Sequence, residues 1–547
     1  MSRTPEAPAA HTASGRRPWL LAFLGFFLLF GAWSFAAPFD GPADEVQHVI
    51  RAVGVVSGQV APAPATVKDG LGNDGMGAYQ EVPRGLLNPA KCWGFNPGKS
   101  VACAKPLSGG PIERVPTSAG RYNPAYYAVV GLPLRISPNW TGLVLSRLIS
   151  SVLSALLLAS AFTTLLRWSR HGLMLAGLLA ATTPMLAHLV GAVNPNGLEI
   201  SAGVALFCSG IPLLLGPARG SRAPLIWLLG TSAVTLATLR SLGPLWLGAG
   251  LFALLVPQSR AYLRELWNRP LARRWALGIV GSVVLSAAWI IGMKTGSVVA
   301  PEHAKSDWST AQASLMYFGY WGDYLKGMVG VAGWFDIFLP DPFYYAWVTA
   351  AAGMVLFALV VGGWRDRWRF FVMFVGGVIA PGVLQVMQAN TTGFIIGGRY
   401  MMPLLVGMPL LAAFILERDN VLNRKQSTSM TRVFCVLLLP IHMAMLVYSM
   451  MRWQKGLTKN PHIGRLNPLT GSWHPETGSL LPVLLMVAAL LLLGWVFWRL
   501  PSLVGRSEEA PEESENSPAG EPAGPDERVD PALQQPLTTV ARSSGRA

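Results

Sequence analysis

Apolar residues run along this chain in stretches of about 15 to 24 positions, separated by short basic segments or by three long polar ones. A membrane-crossing helix needs about 20 apolar residues at a rise of about 1.5 Å each. The pattern therefore predicts an all-α polytopic membrane protein with about twelve spans, near 19–37, 143–166, 172–190, 197–215, 225–239, 242–256, 275–293, 345–363, 370–387, 400–416, 433–450 and 480–498. Gly243 and Pro244 break the apolar segment at 225–256, which reads either as two short spans or as a re-entrant hairpin.

The first run has basic residues before it and small ones after it, as a secretory signal does, but it is too long for a signal core and is followed by Pro38. It reads as a retained span. Arg16 and Arg17, then "RWSRH", "PARGSRAP", "SRAYLRELWNRPLARR", "WRDRWR" and "ERDNVLNRKQSTSMTR", all fall on the side of the N-terminus, which the positive-inside rule makes cytoplasmic. Both termini are expected there, in a plasma (inner) membrane. Residues 1–18 form the cytoplasmic N-terminus, 19–500 the transmembrane domain, and the Glu-, Pro- and Ser-rich segment 501–547 a disordered cytoplasmic tail. The opposite face carries loops at 38–142, 294–344 and 451–479.

Composition narrows the function. Of 547 residues, 52% are hydrophobic and 13% charged, and the net charge of +15 comes from clusters that orient spans, so no nucleic-acid partner is expected. There is no P-loop, Gly-rich nucleotide fingerprint or zinc motif, and no faithful internal repeat of the kind that builds many transporters. Cys208 and Cys435 lie in apolar runs and read as packing residues. Cys92 and Cys103, in "KCWGFNPGKSVACAK", lie in the first loop, where an oxidising compartment favours a disulfide.

The stretch "FAAPFDGPADEVQHVIRA" leaves the first span and at once gathers Asp40, Asp44, Glu45, His48 and Arg51. At 100° per residue, Asp44, Gln47, His48 and Arg51 share one helical face, and Val46, Val49, Ile50 and Val53 the other. This is a short amphipathic helix, expected at the membrane interface with its apolar face toward lipid or protein. First-turn acids suit a helix dipole, which accounts for Asp44 and Glu45 but not for the continuation through His48 and Arg51. A carboxylate here can serve as a base toward a hydroxyl or hold a divalent cation.

An acidic pair just after the first span resembles the GT-C glycosyltransferases, multi-span enzymes that use polyprenyl-phosphate sugars. More specifically, "PADEVQHVIRAVGVVSGQ", "RYNPAYYAVVGLP", "SRLISSVLSALLL", "AVNPNGLEI", "GVAGWFDIFLP" and "GGRYMMPLL" resemble an uncharacterised bacterial family of predicted membrane proteins, domain-of-unknown-function family 2142, related to that clan. The resemblance implies a GT-C-like bundle that transfers a sugar from a polyprenyl-phosphate donor to a cell-envelope or glycan acceptor on the outer face. In that scheme an acceptor hydroxyl attacks the anomeric carbon and the lipid phosphate leaves. Asp44 is then the base, Glu45 a second carboxylate or divalent-cation ligand, and His48 a positioning group. No other cofactor is implied.

Positive charge for the phosphate is expected from arginines at outer ends of spans. Arg399, in "IIGGRYMMP", stands beside two glycines that would let backbone approach a phosphate while the guanidinium binds it; Tyr400 follows as a belt aromatic and substrate neighbour. Arg240 in "TLRSLGP" and Arg51 are further substrate-binding candidates. Asn194 and Asn196 in "VNPNG" read as caps of the next helix, with Asn194 kept among the substrate-binding residues. Tyr126 and Tyr127 read as belt aromatics that also suit sugar stacking. In the second loop Glu302, His303, Asp307, Asp336 and Asp341 lack metal spacing, and Asp336 is retained as an outlying candidate. The competing reading is a transporter or flippase of lipid-linked saccharide, but proton-coupled carriers bury acids within their spans, and here only Glu199 lies near a span end. A structural subunit without chemistry explains the spans and leaves the outer acids and arginines unaccounted for.

Overall fold

Each of the twelve apolar runs is helical in the computed structural model, which describes residues 16–500 apart from 69–73, 88–91, 218–219, 296–305, 395 and 458–465. Glu302, His303, most of the N-terminal segment and the acidic tail thus lie outside the described residues. Eight described helices are long and apolar enough to cross a membrane: Arg16–Ala36, Trp140–Trp168, Pro195–Leu215, Pro270–Gly292, Asp341–Val361, Trp364–Thr392, Arg424–Lys455 and Leu480–Arg499. The chain is an α-helical multi-pass membrane protein.

The remaining runs are short or interrupted, for local reasons. Pro184 has no N–H to continue a helix, so the run at 172–190 divides into Met174–Ala181 and Pro184–Val190, with the Thr183 side chain accepting from the Leu186 N–H to start the second half. The segment at 225–256 forms two helices, Ala223–Leu239 and Gly243–Leu255, about 25 and 20 Å long at the α-helical rise. Their joining turn carries Arg240, and both are shorter than the hydrocarbon core of about 30 Å. The run at 400–416 becomes Met402–Leu405 and Gly407–Arg418.

The Pro195–Leu215 helix is buried along nearly its whole length, while the first helix packs against both Trp140–Trp168 and the last, Leu480–Arg499. Among the described residues, strands are confined to the loops. The first loop holds the Glu45–Val56 helix and an antiparallel sheet of Pro64–Lys68, Asp74–Pro83 and Ile112–Thr117. The second holds helices Thr310–Gly319 and Trp321–Gly330, followed by a hairpin of Val331–Ala332 and Ile337–Phe338. The all-α expectation therefore describes the membrane part, and the loops add β-structure to it.

Buried arginines fasten these loops to the bundle. A guanidinium has five donors and cannot shed its charge, so inside a bundle it must gather acceptors. Arg147, in the second turn of the Trp140–Trp168 helix, donates to the main-chain oxygens of Ser34, Ala37 and Pro38 and pairs with Glu45. Arg452 pairs with Asp336 and donates to the carbonyls of Trp93, Asn96 and Lys99. Asp336, the outlying candidate of the second loop, is thus engaged in a structural ion pair.

Cys92 and Cys103 are joined by a disulfide across eleven positions of sequence, with Cα atoms 6.1 Å apart, and the segment they enclose is the one Arg452 grips. Replacing both by serine is expected to lower stability by about 3 kcal/mol through the restored freedom of the unfolded loop, read as a lower thermal midpoint of the purified protein in detergent.

Candidate functional site

The turn after the first helix divides its acids among three tasks. Asp40 and Asp44 both adopt left-handed backbone, φ 59° and 69°, which Asp tolerates better than most residues because its short side chain bonds locally. Asp40 Oδ1 accepts from the Val46 N–H at 3.0 Å, so the acid that caps the Glu45–Val56 helix stands four residues before Asp44. The Asp44 side chain makes no cap hydrogen bond. Relieved of that task, its carboxylate meets the Arg399 guanidinium at 2.8 Å, across 355 residues of sequence, and remains 42% exposed.

Glu45 points the other way, into the bundle, and is fully buried. Arg147 holds it through Nε at 2.7 Å and Nη2 at 2.5 Å, and its oxygens also accept from the main-chain N–H groups of Asp40 and Val193. Its acceptor sites are filled and solvent cannot reach it. The expectations that Glu45 serves as a second site carboxylate or as a cation ligand are corrected accordingly, and among the described residues no three His, Cys, Asp or Glu side chains gather in a metal-binding group.

Arg51 is also corrected. It is fully buried and donates to the carbonyls of Gln59, Val60 and Tyr122, pinning the chain that leaves the helix. The helix does not float at an interface: its apolar residues Val46, Val49, Ile50 and Val53 pack with Tyr126, Tyr127, Leu143 and Leu239. Tyr126 and Tyr127 are thus core residues rather than belt aromatics, the first donating to Ser150 and the second hydrogen-bonded to His48 Nδ1 at 2.8 Å.

Burial lowers the His48 pKa to about 3; the Asp44 charge opposes the shift, and Arg240 and Arg399 reinforce it. His48 is therefore neutral at physiological pH and positions its neighbours without carrying charge. The depressed folded pKa means that the unfolded chain binds more protons at low pH. Stability from this group is complete above about 6.5 and falls toward pH 3, at about 1.4 kcal/mol per pH unit. A His48→Gln variant, whose amide can still bond Tyr127, is expected to show a flatter dependence of thermal midpoint on pH between 6 and 4, measured against wild type.

Arg399 is buried, with its guanidinium carbon 5.0 Å from the ring centres of both Phe335 and Tyr400 and an Nη2 donor shared between Asp44 and the Tyr400 hydroxyl. Its Nε has no partner. Arg240, at the hairpin tip, lies 4.8 Å from the Tyr400 ring centre and 5.6 Å from that of Tyr122. Glu199 stands 3.9 Å behind it. Two arginines and one half-open carboxylate thus converge around Tyr400 from three separate parts of the chain.

Of the two glycines before Arg399, Gly398 serves packing, while a Cβ on Gly397 would meet only the Phe335 ring, at 3.8 Å. A Cβ on Gly398 would fall 1.9 Å from the Tyr324 carbonyl, so its absence is what lets the Trp321–Gly330 helix lie against this turn. Asn194 caps the Pro195–Leu215 helix by accepting from the Asn196 N–H at 3.0 Å and is buried; its place among substrate-binding residues is withdrawn.

The sequence reading missed Tyr122 and Phe335 and assigned Glu199 no part. Phe335 adopts φ 59° in the second-loop hairpin, an outlier for a bulky residue, and this turn is what brings its ring to Arg399. The glycine and aromatics of "GWFDIF" carried that signal. An apolar cleft of about 150 Å³ is lined by Leu325, Met328, Trp347, Met402, Leu405 and Val406 among others, and Met328 packs against Gly398, the residue before Arg399.

Comparison with known proteins gives one family and a remote structural likeness. The family described as predicted membrane protein (DUF2142) matches residues 27–408. A crystal structure of ArnT from Cupriavidus metallidurans in the apo state superposes with a TM-score of 0.42 and 13% identity over 90% of this chain and 78% of that one. The same protein bound to undecaprenyl phosphate gives 0.39 and 13% over the same shares. No curated protein matches the chain.

Proposed function

The chain belongs to this DUF2142 family of predicted membrane proteins, and from the site it builds we propose that it is a glycosyltransferase using a polyprenyl-phosphate sugar. The observation that carries the reading is the Asp44–Arg399 pair, in which a carboxylate 42% exposed meets a buried guanidinium with an unpartnered Nε. The apolar cleft that Met402, Leu405 and Val406 share with Leu325 and Met328 supports it, since a lipid phosphate needs an apolar path for its tail beside a cationic socket.

In this mechanism an acceptor hydroxyl attacks the anomeric carbon of the donor. Its proton passes to an Asp44 oxygen, the bond from the anomeric carbon to the phosphate oxygen breaks, and the electron pair leaves with the lipid phosphate. Arg399 and Arg240 balance the charge that grows on that phosphate. Tyr400 keeps the two guanidinium groups in place through its ring and hydroxyl. His48, neutral, holds the Asp44 helix against Tyr127.

The reading puts the loops on the outer face of the plasma (inner) membrane and both termini in the cytoplasm, where basic segments such as "WRDRWR" are retained. The test is purified protein in liposomes, offered a panel of polyprenyl-phosphate sugars with soluble and lipid-linked saccharide acceptors. Release of polyprenyl phosphate coupled to glycosylated acceptor is expected. Movement of an intact donor across the bilayer without bond cleavage would replace the transferase reading with the flippase one.

A further inference from the structure

A second cavity, of about 220 Å³, opens in the loop region and takes its walls from four stretches of chain: Pro38 and Phe39, the disulfide segment and the residues after it, Trp140, and Trp473 to Glu476. Three of its lining residues are tryptophans, Trp93, Trp140 and Trp473, and Lys105 and Glu476 add one charge of each sign. None of these groups has a part in the chemistry described above.

The tryptophans are held in fixed positions. Trp93 has the Arg452 guanidinium 5.4 Å from its ring centre, and Trp140 has that of Arg147 at 5.5 Å. The indole N–H groups of both are enclosed without an acceptor, although a buried tryptophan N–H normally finds a partner. Trp473 is only partly buried. Its loop is tied to the disulfide segment by the Ser472 and Ser100 hydroxyls at 2.7 Å and by the Leu457 N–H donating to the Pro97 carbonyl.

Such a lining fits few ligands. An indole face is electron-rich and apolar, and it attracts the polarised C–H groups on the flat face of a sugar ring. The charged groups of Lys105 and Glu476 suit the hydroxyls at that ring's edge. The volume is below the roughly 300–1,000 Å³ of pockets that enclose a whole small molecule, so the cavity admits one ring of a longer chain. Position ties it to the Asp44 site: Phe39 lines the cavity, and five residue steps separate it from Asp44, at most about 18 Å of extended chain.

We infer that the cavity faced by the partly exposed Trp140 and Trp473, with the fully buried Trp93 behind them, is a saccharide subsite that holds a ring of a carbohydrate acceptor. The inference rests on the transferase reading only for the word acceptor; the binding itself is independent of it.

The test uses full-length protein in nanodiscs and saturation-transfer NMR with methyl glycosides and β-linked disaccharides of glucose, galactose, mannose and N-acetylglucosamine. Binding of at least one probe is expected. Trp473→Ala should weaken it at least tenfold, and Trp473→Phe should largely keep it. No signal from any probe, or binding indifferent to Trp473→Ala, overturns the subsite. Where transfer is measurable, Trp473→Ala should raise the acceptor KM with the donor KM unchanged. Transfer with an unaltered acceptor KM in Trp473→Ala removes the subsite and leaves the transferase. Saccharide binding that depends on Trp473, in a protein that cleaves no lipid-linked donor, removes the transferase and leaves the subsite as a binding site.

Discussion

Asp44→Asn is expected to lower sugar transfer by roughly 10²- to 10⁴-fold, the usual contribution of a general base, without loss of folded protein. Asparagine is the informative replacement because it accepts the left-handed backbone of position 44, and its carbonyl can still take a hydrogen bond from Arg399. The change thus removes charge and basicity while the turn keeps its shape. Arg399→Ala should cost about 10²- to 10³-fold, as removal of one donor to a developing anion does. It should also raise the donor KM, because the same guanidinium meets the ground-state phosphate. The measurement is single-turnover transfer in proteoliposomes, with thermal midpoints recorded in parallel. Wild-type turnover in Asp44→Asn would remove that carboxylate from the chemistry, whatever Arg399→Ala does.

Glu45→Gln and Arg147→Met are expected to fail at an earlier stage, by loss of folded protein. Removing one partner of a buried, hydrogen-bonded ion pair costs about 3–5 kcal/mol because the other charge is left uncompensated. That is a large share of the roughly 5–15 kcal/mol stability of a typical folded protein. For Arg147→Met the carbonyls of Ser34, Ala37 and Pro38 also lose their donor. Size-exclusion profiles in detergent should show both variants shifted to aggregate, with Asp44→Asn eluting as wild type does. The double variant Glu45→Met with Arg147→Met should recover part of the loss, since no unpaired charge remains. A Glu45→Gln protein that stays monodisperse and loses turnover alone would return Glu45 to the chemistry. Adjacent acids would then differ less than their surroundings indicate.

The contrast between these neighbours marks the limit of what the sequence can tell. Helical periodicity locates spans because twenty apolar residues in a row have few other uses, and the Gly243–Pro244 break was visible for the same local reason. The turn at Asp44 and the span end at Arg399 stood out in the sequence as charge in unexpected places, and the two meet in an ion pair. A helical wheel, however, gives the direction of a side chain and not the group it meets. Arg51 looked like part of a polar face and instead collects three carbonyls, two of them from the chain that follows its own helix. Glu45 finds its counter-charge 102 residues away. A signal for that did exist: Arg147 interrupts the apolar run "SRLISSVLSALLL", and an arginine within a span calls for a partner. Tyr122 was out of reach because it acts through a ring placed by loop geometry, and Phe335 was signalled only by the aromatics of its turn.

The grip of Arg452 on the first loop sets an order for biogenesis. A chain is made from its N-terminus, at about 5–20 residues per second, so the segment holding Trp93, Asn96 and Lys99 emerges long before its guanidinium does. During that interval the Cys92–Cys103 bond is the covalent tie that keeps the segment in a small ring. Only when the Arg424–Lys455 helix has been inserted do those carbonyls and Asp336 receive their counter-charge. A nascent chain stalled before that helix holds the Asp44 turn, already fastened by Arg147, without the later half of its surroundings. The last helices to be synthesised therefore decide when the first loop is finished.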